Sequence, residues 1–275
     1  YGSVEQSLTG TPGDPEAGRE IMVSKGIGNC VSCHAAEDYS DVPFHGEVVS
    51  RAWHCEVLAA EGDEAVARVS VECHLLPLRL ERTMRLAADG ASLVLEETAT
   101  NYSGEPVDFM WGHHPIFGKP LLDGKTRIFA PAAKTLDDDF NPDGWPMRGD
   151  RDMSLALTEG SGTGDMFYLT ELSAGWAALV NPEMKLGAAL NWDLGVFPLV
   201  WIWRDAGKSR DYPFFGRAYT TAIEPFSALP GARERGEKLL ELGGGESLST
   251  RLVFGVFEGM TEVTGVSADG TVSGK

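Results

Sequence analysis

Residues 79–100 read RLERTMRLAADGASLVLEETAT, and this stretch decides the class of fold. Within Arg79–Leu86, Leu80, Met84 and Leu86 fall on one face, while Arg79, Glu81, Thr83 and Arg85 fall on the other. That period of two belongs to a half-buried strand, not to an amphipathic helix. Asp89-Gly90 supplies the residue pair a tight hairpin favours, and Ser92–Thr100 returns as the second strand. The pattern extends outward from there. Upstream, Trp53–Leu58 and Val66–Leu75 flank the acidic turn Glu61-Gly62-Asp63-Glu64. Downstream, strands are expected at Lys125–Ala130, Met166–Leu172, Trp176–Val180, Leu186–Asp193, Leu199–Arg204, Tyr219–Ile223 and Ser247–Glu258. Residues 137–165, rich in Asp, Gly and Pro, are expected to loop across the surface. No alternation of strands with helices supports a parallel sheet, and no internal repeat is present. The fold class expected is all-β, a large antiparallel β-sandwich.

The chain has 275 residues and a formal net charge of −18, with a pI near 4.7. Such an acidic surface repels phosphate backbones and anionic lipid, so no nucleic acid partner is expected. No apolar run approaches the roughly 20 residues of a membrane span. The opening YGSVEQSLTGTPGDPEAG has neither a basic start nor an apolar stretch, and no initiator Met. It reads as a chain whose leader has been removed, or as a fragment.

Three pieces place polar groups beside aromatic residues in apolar surroundings. They are Pro43-Phe44-His45-Gly46-Glu47, Phe109-Met110-Trp111-Gly112-His113-His114-Pro115-Ile116-Phe117-Gly118 and Ala222-Ile223-Glu224-Pro225. A sheet can bring two or three of these imidazoles and the carboxylate to one concave face. Taken singly, each has a plainer account: His45 as a turn residue, Glu224 as a surface residue, Trp201 and Trp203 as core.

In order and spacing, the H-G-E start, the later W-G-H-H-P-x-F-G and the late E-P over roughly residues 43–262 resemble the aldose 1-epimerase (mutarotase) superfamily. The resemblance implies a supersandwich of antiparallel strands holding an aldose, with proton transfer at the anomeric carbon and no cofactor. It implies Glu224 as general base, His113 or His114 as acid, and His45 as a second histidine on the sugar. Trp111, Trp201 and Trp203 are the expected sugar-contacting aromatics. Members of the superfamily begin with further strands and a sugar-contacting arginine ahead of the H-G pair, and residues 1–42 do not supply them. A non-catalytic sugar-binding module is the alternative within this reading.

Residues 1–42 carry a different signal. Asp14-Pro15-Glu16 is a good helix start, and Cys30-Val31-Ser32-Cys33-His34 is a C-x-x-C-H sequence. Cys30 and Cys33 would bind haem c through thioethers, with His34 on the iron. The surrounding residues 8–36 resemble the start of the monohaem c-type cytochrome subunit of thiosulfate-oxidation complexes, which implies electron transfer. The domains expected are therefore a cytochrome c-like piece at 1–42, a mutarotase-like domain at 43–262 and a flexible tail at 263–275, a chimera in origin. The compartments differ: covalent haem attachment implies the periplasm, the sugar domain the cytoplasm. The remaining cysteines, Cys55 and Cys73, would face each other across a hairpin as structural thiols, with His54 and His74 likewise opposed.

Overall fold

The computed structural model describes residues 45–60, 62–88 and 90–275. Cys30, Cys33 and His34 lie outside the described residues. After a 3-10 turn at Val48–Ser50, four strands form a meander: β1 (His54–Ala59), β2 (Glu64–Glu72), β3 (Leu78–Ala87) and β4 (Ser92–Asn101). Short strands follow: β5 (Val107–Phe109), β6 (Ile116–Phe117), β7 (Arg127–Phe129) and β8 (Ala132–Leu136). The region expected to loop contains only brief pairings, β9 (Pro142–Gly144), β10 (Met147–Arg148) and β11 (Arg151–Asp152). Longer strands resume with β12 (Gly164–Leu172), β13 (Trp176–Asn181), β14 (Leu186–Trp192), β15 (Leu199–Ala206) and β16 (Tyr219–Phe226). The chain ends with β17 (Leu240–Leu242), β18 (Ser247–Glu258), β19 (Val263–Val266) and β20 (Val272–Gly274).

Eight strands make the larger sheet, in the order β1-β2-β3-β4-β18-β14-β13-β7, and six make the smaller, β6-β16-β15-β12-β8-β9. Among the described residues every ladder is antiparallel, as strands joined by short turns without crossover helices favour. Between the two sheets Leu80, Leu95, Leu179, Leu190 and Leu252 pack against Phe167, Leu169, Val200, Ile202 and Ile223. This core fixes which face of the smaller sheet is turned outward, and the site occupies that outward face.

Two expectations change. Residues 263–275 are not a loose tail: β19 and β20 form a hairpin, and Val263 and Val266 are buried against Trp176, Ala178 and Val180. The apolar pair outweighs the small polar residues around it, and the Asp269 carboxylate stabilises the turn by accepting from the Thr271 N–H at 3.0 Å. Nor do the cysteines face each other. The β1–β2 register sets Cys55 opposite Val69 and His54 opposite Ser70; Cys55 is exposed and Cys73 buried, both as free thiols. Among the described residues no helix is long and apolar enough to cross a membrane, and no cluster of three or more His, Cys, Asp or Glu fits a metal ion.

Candidate functional site

In the β15–β16 ladder Trp201 stands opposite Glu224, and Trp203 opposite Ala222. Residues directly across a ladder share a face, so Trp201, Trp203 and Glu224 all project away from the inter-sheet core. One end of this outward face closes over itself. Trp201 stacks on Phe226 at 3.9 Å, donates its indole N–H to the Ala228 carbonyl at 3.0 Å, and packs with Met110, Tyr168 and Leu239. Trp201 is thus core, not a sugar platform, because the chain after β16 folds back over it. Trp203, two residues on, stays half-buried between the rings of His114 at 6.2 Å and Phe214 at 5.5 Å.

The segment Met110–Pro115 runs alongside β16 and delivers the histidines. Trp111 N–H donates to Ser227 Oγ at 2.8 Å, and Ser227 N–H to the Trp111 carbonyl at 2.8 Å. His113 N–H donates to the Pro225 carbonyl at 3.0 Å, and Ile223 N–H to the Pro115 carbonyl at 3.2 Å. Glycine is required at position 112, where a Cβ would come within 2.4 Å of the Phe226 ring. Extended backbone turns consecutive side chains to opposite sides, and the two histidines part accordingly.

His114 turns outward, its Nε2 3.3 Å from Glu224 Oε1. His45 meets the His114 ring edge-on at a centroid distance of 5.3 Å. It sits on a tight turn in which His45 and Gly46 both have positive φ, 71° and 80°. The buried Glu47 carboxylate holds that turn by accepting from the backbone N–H groups of His74 and, at 2.9 Å, Leu75. His45, His114, Glu224 and Trp203 therefore converge.

His113 turns inward and is completely buried. Its Nε2 lies 2.8 Å from Glu97 Oε2 on β4, and Glu97 pairs in turn with Arg82 on β3. Of the two histidines expected as acid, only His114 faces the open side. Trp111 is also a correction: it has no exposed surface and packs edge-on against Phe197 at 5.6 Å, so it offers no face to a ligand.

Burial sets the proton affinities at the outward group. It raises the Glu224 carboxyl well above the usual carboxylate range, because little water reaches its charge. It lowers the His114 imidazole to about 4, with the neighbouring His45 adding to the effect, and it lowers His45 as well. Glu97 behaves oppositely. Burial would raise it, but Arg82 first and His113 second outweigh that and hold it at about 2. One buried carboxyl is tuned to take up a proton, the other is locked as an anion.

Sequence reasoning missed Arg82, Glu97 and Phe214, and named Glu47 only as part of the H-G-E piece. The first two carried a signal: both are charges on the apolar faces of strands that one hairpin pairs, and they stand directly opposite each other.

The family model for a domain of unknown function, DUF4432, matches residues 17–256. The chain belongs to the DUF4432 family. The match starts before Cys30 and runs across position 42/43, where composition changes. No curated protein matches the chain. Among solved structures, this DUF4432 chain is similar to a proposed aldose 1-epimerase from Klebsiella pneumoniae, at 20% identity and a TM-score of 0.61 over 71% of this chain and 51% of that one. It is similar to another proposed aldose 1-epimerase, from Escherichia coli K12, at 17% identity and a TM-score of 0.61 over 84% and 82%. A galactose mutarotase-like protein from Clostridium acetobutylicum matches at 15% identity and a TM-score of 0.62 over 83% and 78%. The chain spans about half the length of the Klebsiella protein. The fold is that of the aldose 1-epimerase and galactose mutarotase-like proteins.

Proposed function

We propose that this DUF4432 protein interconverts the α and β anomers of an aldose. The observation that carries the reading is the His114–Glu224 pair, 3.3 Å apart, with Glu224 buried and the half-buried His45 and Trp203 beside it on the outward face. The names of the Klebsiella and Escherichia coli structures agree with it.

Anomer exchange needs one proton removed from the C1 hydroxyl and one delivered to the ring oxygen. Glu224 takes the first and the His114 imidazolium gives the second, so the C1–O5 bond breaks and an open-chain aldehyde forms. Rotation about C1–C2 and the reverse transfers close the ring on the other face and return both protons. Burial by itself favours the uncharged pair, protonated Glu224 with neutral His114. Sugar hydroxyls that donate to the carboxylate favour its charged form, moving the shared proton to His114 and arming base and acid together. Trp203 offers an aromatic surface to the sugar's C–H face, and His45 a hydrogen bond to a hydroxyl.

Polarimetry of freshly dissolved α-glucose and α-galactose tests the reading. Mutarotation faster than in buffer alone supports it; rates equal to buffer for both sugars reject it for these substrates.

A further inference from the structure

We infer that Arg82 and Glu97, acting through His113, are positioning residues that hold His114 in register with Glu224. The inference deepens the proposed reaction, and its rate arm alone rests on that reading. Three charged or polar side chains, each at least nine-tenths buried, meet between the sheets: Arg82 from β3, Glu97 from β4 and His113 from the segment beside β16. They form the polar tie between the larger sheet and the strip of chain that carries His114.

That strip needs a tie. Within Met110–Pro115 the strip shares one isolated bridge with β16, Gly112 to Phe226, and one main-chain bond every second residue, before regular pairing resumes at Ile116 and Phe117 in β6. A strip held so sparsely can rotate about its own axis, and rotation moves the outward side chain of His114 as far as the inward one of His113. Fixing the His113 ring between the Glu97 carboxylate, 2.8 Å away, and the edge of Phe197, at 5.2 Å, removes that freedom. Arg82 keeps Glu97 ionised and aimed, and its guanidinium lies 5.8 Å from the centre of the Trp53 ring. Burying such a group is expensive, and apolar side chains of similar volume often serve stability as well or better. Conformational definition accounts for its presence here. Displacing His114 by roughly 1 Å from its place beside Glu224 can cost about 100-fold in rate.

The test uses the full chain with isotope-labelled histidine and two variants. Glu97→Gln removes the charge that holds His113. Arg82→Met/Glu97→Leu replaces the ion pair by apolar volume, so the core stays filled if Glu97→Gln does not fold. Expected in a folded variant are displaced or broadened His114 ring resonances, with kcat down about 10- to 100-fold and KM within about threefold of wild type. A folded variant with His114 resonances and kcat unchanged overturns the inference, as does failure of both variants to fold, which makes the group structural alone. If the wild-type chain shows no anomer exchange, the proposed reaction fails separately and the His114 resonances decide this inference by themselves.

Discussion

His113 and His114 are adjacent in the chain and opposed in space: one lies 2.8 Å from Glu97 inside the sandwich, the other 3.3 Å from Glu224 on its outward face. A single peptide unit thus separates an imidazole buried between the sheets from one on the outward face. The two carboxylates they meet have opposite proton affinities, and that contrast is measurable.

Glu224 binds its proton more tightly folded than unfolded, where a glutamate titrates near 4.3. Stability from this group is therefore complete below about pH 4.3 and falls as pH rises through the raised folded value. Glu224→Gln removes the titration. Its melting temperature should exceed wild type by an amount that grows between pH 5 and pH 8, measured by scanning calorimetry. A constant difference over that range contradicts the burial argument.

Glu97 has the reverse sign. Its folded value of about 2 lies below the unfolded one, so its stability is present above about pH 4.3 and is lost as pH falls toward 2. Glu97→Gln leaves Arg82 buried without its anion and should cost roughly 3–5 kcal/mol at neutral pH. The penalty should shrink on acidification, read from urea unfolding at pH 7 and pH 3. An equal penalty at both assigns the effect to packing.

The two tryptophans of β15 should separate by assay. Trp201, stacked and bonded inside the outer cluster, should cost ~3–5 kcal/mol on truncation to Ala. Trp203→Ala should cost less stability and weaken sugar binding several-fold in titration calorimetry. Equal effects of the two on binding would return Trp201 to the sugar site.

Gly112→Ala forces a methyl against Phe226, whose ring already stacks on Trp201 and has little room to yield. Strain of roughly 1–3 kcal/mol should follow, together with loss of activity as His113 and His114 shift. A variant with wild-type stability and rate would show that the strip is more compliant than these contacts indicate.

Much of the fold was legible because its strands alternate: residues 79–100 alone fix a hairpin, and the register found, Leu78 with Asn101 through Leu86 with Leu93, is the one its turn dictates. The pieces that bring His45, His114 and Glu224 together on the outward face were legible in order. What stayed hidden depended on long-range placement. Trp111, Trp201 and Trp203 are alike in sequence, and only the return of the chain after Phe226 covers Trp201 and leaves Trp203 open. Which histidine faces outward follows from strand parity, but parity is fixed only once the segment is docked on β16. The closing hairpin escaped because two valines, Val263 and Val266, are too weak a pattern without the Trp176 surface they cover.

The most direct measurement is magnetisation-exchange NMR on an α/β aldose mixture with wild type, Glu224→Gln and His114→Gln at equal concentration. Exchange well above buffer for wild type, reduced about 100-fold or more in each variant, is the predicted result. Wild-type exchange at the buffer rate, or a Glu224→Gln rate equal to wild type, would contradict the assignment of this pair as base and acid.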